Sequence, residues 1–139
     1  HDGSRFHVER YPGLVGENFT SADMPQRLPG NVAIGHVRYS TQGASVLRNV
    51  QPLYSDVRGG GIALAHNGHI TNARVLREEL VSNGAIFQST SDSEVVLHLA
   101  ALSRKSKLTN RLSHALKQVE GAFAFVALAL LAPMAIYDE

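Results

Sequence analysis

The stretch from Gly59 to Asn72, Gly-Gly-Gly-Ile-Ala-Leu-Ala-His-Asn-Gly-His-Ile-Thr-Asn, constrains this chain more than any other. Glycines leading into a short apolar run read as a turn feeding a buried strand. Asn67-Gly68 then supplies a backbone position that tolerates positive φ, where the strand is expected to stop. An Asn-Gly pair most often closes a two-residue hairpin. The residues after it argue against a hairpin, because Ala73 to Val81 sets Val, Leu, Arg and Glu at helical spacing, with Thr71 or Asn72 placed to cap the helix. The expected unit is strand, glycine turn, helix. At the end of such a strand the Asn67 side-chain amide and the Gly68 N–H can face one space and offer two donors to a developing oxyanion.

A chain of 139 residues, 44% of them hydrophobic, is long enough for one domain with an ordinary two-layer core. Thirteen Lys and Arg against twelve Asp and Glu leave a formal charge of +1, and the basic residues are scattered, so nothing asks for nucleic acid. There is no cysteine, which excludes disulfides, thiolate metal sites and a cysteine nucleophile within these residues. The apolar run Ala122–Met134 falls short of the roughly 20 residues a bilayer requires, and no signal peptide precedes the first expected strand. A cytoplasmic protein with no membrane partner is the expectation. The chain starts at His1 and enters Asp2-Gly3 directly, so it reads as a fragment.

Arg5–Tyr11 alternates apolar Phe6 and Val8 with His7 and Glu9, as a half-exposed strand would. Pro12–Gly30 is rich in proline and glycine and reads as a loop, with one helical turn at most around Ser21–Gln26. Asn31–Tyr39 is β-branched and apolar up to Arg38 and is expected to be a strand. Val46–Tyr54 should be an irregular connection, and Ser55–Gly61 a turn into the central strand. Helices are expected at about Ala73–Ser82, burying Val75, Leu76 and Leu80, and from a Ser91/Glu94 capping box onward, burying Val95, Val96, Leu99 and Leu102. A third, capped by Thr109, would turn Leu112, Leu116 and Val119 inward and close at Gly121. Ala122 to about Leu131 reads as a strand buried on both faces. Strands under helices without strict alternation define an α+β layered domain.

Two further residues carry chemistry. Arg38, at the end of an apolar strand, could grip a carboxylate bidentately, or could simply reach the rim and pair with a structural carboxylate. Asp92 sits at a helix start, where the helix dipole alone favours a carboxylate; it could equally receive an ammonium group. Together they suit the charged ends of an α-amino acid, with Asn67 and Gly68 at a carbonyl further along, which is the shape of glutamine. Of the seven histidines, His36 and His66 each come shortly before a candidate residue, and none has metal-ligand spacing. No Gly-x-Ser-x-Gly elbow, P-loop or Gly-x-Gly-x-x-Gly is present.

Gly35-His36-Val37-Arg38-Tyr39-Ser40-Thr41-Gln42-Gly43, Ala65-His66-Asn67-Gly68-His69-Ile70-Thr71-Asn72 and Thr90-Ser91-Asp92-Ser93-Glu94, in this order, resemble the class II glutamine amidotransferases, in particular the glutaminase domain of the amidophosphoribosyltransferases. Each motif alone is weak; the ordered set is specific, and the match runs from about Arg5 to Leu128. The resemblance implies an N-terminal-nucleophile fold, a four-layer αββα sandwich with two antiparallel sheets, incomplete here. It implies that Arg38 and Asp92 bind the α-carboxylate and α-amino groups of glutamine, that Asn67 and Gly68 form the oxyanion hole, and that Thr41 adds a contact. Relatives that aminate fructose 6-phosphate tend to have Trp and His where this chain has Tyr39 and Gln42, which points to the phosphoribosyl branch. The family's nucleophile is an amino-terminal cysteine whose own α-amine, titrating near ~8, moves the proton. With that cysteine and its strand absent, residues 1–128 read as a partial domain, expected to be inactive alone and prone to aggregate or recruit another chain. Residues 129–139 read as an atypical tail.

The resemblance further implies glutamine and a phosphoribosyltransferase domain as partners, a homo-oligomer, no cofactor in this domain, and magnesium in the absent one. The expected reaction is glutamine hydrolysis supplying ammonia to phosphoribosyl pyrophosphate. The alternatives are a non-catalytic glutamine-binding or regulatory fragment, a purely structural fragment whose site never forms, or another class II amidotransferase.

Overall fold

The computed structural model describes residues 1–38 and 47–131. Two single-turn helices, α1 (Val15–Asn18) and α2 (Met24–Arg27), lie in an otherwise irregular amino-terminal segment. A 3-10 turn at Leu47–Asn49 leads to β1 (Leu53–Val57), a tight turn at Arg58-Gly59, and β2 (Gly60–Ile70). Then come α3 (Ala73–Ser82), α4 (Ser93–Leu102), α5 (Leu108–Leu116) and β3 (Gly121–Leu131). The strands form one antiparallel sheet in the order β1-β2-β3.

The register divides β2 between two environments. Ile62, Leu64, His66 and Ile70 share a face with Phe125, Ala127 and Ala129 of β3 and Leu53 of β1. On this face Ile62, Leu64 and Ile70 are buried against Val95, Val96, Leu99, Leu108 and Ala115 of the helices. The other face carries Ala63, Ala65 and Asn67 beside Leu128, Val126 and Ala124. There the amino-terminal segment arches over the sheet and encloses a cavity of about 480 Å³ lined by Phe6, Val8, Ile34, Ala63 and Leu128. Arg111, 2% exposed, locks α5 to the β1–β2 turn by donating from Nε to Lys105 O (2.6 Å) and from a terminal nitrogen to Arg58 O (2.8 Å).

Several expectations hold and others are corrected. The α3 limits match, and α3 ends at Asn83 and Gly84, the latter with φ +90°. Leu80 is buried, whereas Val75 points to solvent, since packing on α4 selects one stripe of the helix. In α4, Val95, Val96 and Leu99 are buried and Leu102 is exposed. Lys107, not Thr109, occupies the cap position of α5. Residues 5–11 and 31–38 form no strand and belong to no ladder among the described residues, while 53–57, read as connection and turn, pairs with β2 as a strand. The β3 strand is apolar throughout yet only half-buried: helices cover one face, and Val126 on the other is 56% exposed. It runs without a break through Ala129, which pairs with Ile62. Among the described residues one sheet is present, and no helix is long and apolar enough to cross a membrane.

Leu64 is fully buried at the centre of the sheet. Leu64→Ala should lower unfolding free energy by about 2–5 kcal/mol, the usual range for such a truncation, as read from urea denaturation midpoints.

Candidate functional site

A difference in strand length builds the site. β1 pairs with β2 only from Gly60 to Leu64, so along the β1 side the remainder of β2, to Ile70, has no ladder partner among the described residues. Amides of alternate residues face that edge, and buried main-chain groups must find partners. Side chains supply them. Gln51 Oε1 accepts from the His66 N–H at 2.6 Å, His36 Nε2–H donates to His66 O at 3.0 Å, and Asp92 Oδ2 accepts from the Ile70 N–H at 3.0 Å. The Thr71 N–H, of opposite parity, donates to Glu120 O at 2.8 Å on the β3 side. Gly68 lies midway between His66 and Ile70 and shares their parity, so its N–H faces the open edge between Gln51 and Asp92.

The expected stop at Asn67-Gly68 is corrected here: the strand continues through them, with Asn67 opposite Ala124 and Gly68 opposite Phe123. The positive φ is present, at +130°, but in the extended mirror region, which keeps the ladder. A Cβ on Gly68 would lie 2.2 Å from Ala122 O, so no other residue fits without moving β3. The hairpin reading is excluded, since α3 begins just beyond Ile70, after Thr71 and Asn72. Asn72 occupies the cap position of α3, but its side chain spans instead to the turn before β3, donating to Gln118 O (2.9 Å) and accepting from the Glu120 N–H (3.0 Å).

Asp92 holds the cap position of α4, a quarter exposed, where the helix dipole favours its charge. The segment before it is fixed by two charged side chains. Glu94, 7% exposed, accepts from the Gln88 N–H (2.6 Å), the Ser89 N–H (2.7 Å) and the Ser89 hydroxyl (2.6 Å). This replaces the expected Ser91/Glu94 capping box, because Glu94 reaches back to Ser89 and Ser91 Oγ accepts from the Ser93 N–H at 3.3 Å. Arg77 of α3, stacked 3.9 Å over Phe87, donates to Ser89 O (3.0 Å) and Ser91 O (2.7 Å). Asn49 and Thr90 exchange two further hydrogen bonds, at 2.7 and 2.9 Å.

His66 and Ser93 complete the cluster, and the sequence alone singles out neither for a role. His66 is 4% exposed; its Nδ1 lies 2.8 Å from Ser93 Oγ and 3.4 Å from Asp92 Oδ1. Burial pushes its pKa below the ordinary histidine value, against the pull of Asp92. The available signal was parity, since His66 stands two residues after Leu64 on the core face. The structure ties Asp92 to β2 at Ile70, two residues beyond Gly68 on the same edge, while Asn67 lies opposite Ala124 of β3. Arg38 is exposed, two residues beyond the His36 that bonds His66, within about 7 Å of chain reach. Thr41 lies outside the described residues.

A strand edge that pairs a main-chain donor with an adjacent amide and a carboxylate is suited to holding a polar molecule that carries both a carbonyl and a cation. The glutamine amidotransferase domain family matches residues 36–131, and the chain belongs to that family. Among curated relatives, the amidophosphoribosyltransferase of Rhizobium etli is 50% identical over 127 residues, covering 91% of this chain and 26% of the relative. That of Lacticaseibacillus casei is also 50% identical, covering 91% of this chain and 64% of the relative. Glutamine phosphoribosylpyrophosphate amidotransferase from B. subtilis, solved with ADP and GMP, superposes with a TM-score of 0.82 at 37% identity, over 92% of this chain and 27% of that one. The chain therefore spans between a quarter and two thirds of the length of these relatives.

Gly68→Ala combines the Cβ clash with positive φ. It should destabilise the fold by about 2 kcal/mol or more, visible as a lower thermal midpoint, whereas Gly3→Ala, where nothing lies within 4 Å, should cost less.

Proposed function

We propose that this chain is the glutamine-hydrolysing part of an amidophosphoribosyltransferase. Asp92 receives the α-ammonium of glutamine, Arg38 its α-carboxylate with Thr41 as a further contact, and the Asn67 amide and Gly68 N–H hold the side-chain carbonyl oxygen. The open edge of β2 supports this reading, because Asp92 bonds the Ile70 N–H there, two residues beyond Gly68 and of the same parity. The nucleophile is a cysteine thiolate supplied from outside these 139 residues, which contain no cysteine. Its attack on the amide carbon forms an oxyanion between Asn67 and Gly68. Collapse expels ammonia, which takes its proton from the cysteine's own α-amine, protonated when the thiolate formed, and water then releases glutamate from the thioester. The ammonia attacks phosphoribosyl pyrophosphate in a phosphoribosyltransferase domain and yields 5-phosphoribosylamine. The complete domain is a four-layer αββα sandwich of the N-terminal-nucleophile type. The uncovered face of β3 supports this, as a strand apolar on both faces suits a second sheet.

A second reading, a glutamine-binding module without catalysis, is favoured by the absence of cysteine alone. Calorimetry on the purified chain should detect glutamine binding, weakened at least about tenfold in Arg38→Lys, where a bidentate contact becomes a point charge. Glutamate release should stay at the level of a heat-killed control. No binding by the folded chain would sink both readings.

In a form joined to a cysteine-bearing amino-terminal segment, Asn67→Ala should lower kcat on the order of 10²-fold with little change in KM, since the donor acts mainly as charge develops. Steady-state kinetics decide between the two readings: a change in KM alone would make Asn67 a ground-state contact, and no turnover in the parent form would favour the binding module.

A further inference from the structure

His66 is a buried ionisable group beside Asp92 that the proposed reaction leaves unused. Its ring stacks on Phe125, with centroids 4.5 Å apart and planes at 16°. Nδ1 meets Ser93 Oγ at 2.8 Å and Asp92 Oδ1 at 3.4 Å. Nε2 is sealed from solvent and has no hydrogen-bond partner among the described residues. The surroundings accommodate one proton and not two. With that proton on Nδ1, the ring donates to Ser93 Oγ, whose hydroxyl points on to Asp92 Oδ1 at 3.4 Å, and Nε2 keeps a bare lone pair. A second proton on Nε2 would be a buried donor without an acceptor. The groups acting on the ring are Asp92 at the cap of α4, Ser93 of α4, Phe125 of β3, His69 on its own strand and His36, while Gln51 and His36 bond the His66 main chain. Among the described residues Asp92 is the carboxylate within ion-pair reach of the ring.

We propose that His66 gates the substrate-facing charge of Asp92: the neutral imidazole leaves the carboxylate available to an ammonium group, and the protonated imidazole pairs with it and competes with that group. This rests on the reading of Asp92 as the ammonium acceptor. Desolvation keeps the ring neutral at neutral pH by lowering its pKa below 6.5, so the competing form appears only on acidification. Glutamine affinity is therefore full above that lowered pKa and falls as pH drops through it, and by linkage bound glutamine must make His66 harder to protonate.

The test measures Kd by calorimetry from about pH 8 to about pH 5, on the whole chain and on His66→Asn, whose amide N–H keeps a donor for Ser93 without titrating. Glutamine is compared with glutaramate, which retains the carboxylate and amide but lacks the ammonium. Glutamine should weaken about fivefold or more in acid, the lower end of ordinary coupling between sites, while glutaramate does not and His66→Asn loses the pH dependence. In the unaltered chain, NMR titration of the ring protons should show the His66 pKa falling when glutamine is added, which keeps the proposal open to refutation if the variant does not fold. Equal acid loss for glutaramate or for His66→Asn, or a ring pKa unmoved by bound glutamine, would overturn it. No glutamine binding at any pH would overturn the substrate reading and this proposal with it.

Discussion

The unequal lengths of β1 and β2 govern the rest of the structure. A five-residue strand paired to an eleven-residue one leaves main-chain donors and acceptors exposed along half of the longer strand. Such groups cannot be buried unpaired without a cost of about 1–3 kcal/mol each. The fold answers with side chains from distant segments, Gln51, His36 and Asp92, each bonded to a β2 main-chain atom. Asp92 is therefore both a residue that completes the ladder and a member of the proposed substrate site. Gly68 is the member of the series left without a side-chain partner among the described residues, and its N–H is the one the proposed chemistry requires.

The electrostatics of the site derive from that arrangement. Asp92 sits at the start of α4, and the residues behind it are fixed by a carboxylate whose oxygens are filled by three donors. Those donors take the place of water around the buried Glu94 oxygens, and Arg77 closes the same segment through its two carbonyl contacts. Histidines near both carboxylates, His66 by Asp92 and His98 by Glu94, have pKa values lowered chiefly by burial. Among the described residues the partners of these two carboxylates are main-chain amides, hydroxyls and histidine rings, and no Lys or Arg pairs with either.

Much of this is legible in the residues, and the misreadings have physical causes. Helices with one clear apolar stripe appear near their expected limits, since the 3.6-residue period survives tertiary context. The glycine at position 68 reads as a positive-φ site, but positive φ does not distinguish a turn from a mirror-extended residue that stays in register; only the partner strand decides. The capping box fails because the Ser91 hydroxyl and the Glu94 carboxylate each find nearer donors. Strands without local signals are hardest. Residues 53–57 pair as a strand despite the polar Ser55 and Asp56, while the β-branched 31–38 segment joins no ladder among the described residues. Pairing is long-range, and composition does not carry it.

The β3 strand joins sequence and architecture most directly. Its uninterrupted apolar run is the composition of a strand covered on both faces, whereas a strand with one solvated face alternates. The helices cover the Phe123, Phe125 and Ala129 side. The amino-terminal segment reaches Leu128 on the opposite side but leaves Val126 more than half exposed. A face this apolar, continuing β2's Ala63 and Ala65 up to Asn67, is what a second layer would need to rest on. Asn67 lies on that face and Asp92 on the other side of the same edge, so a nucleophile delivered by a layer packed there would meet a carbonyl held at Asn67 and Gly68 from the side opposite the helices.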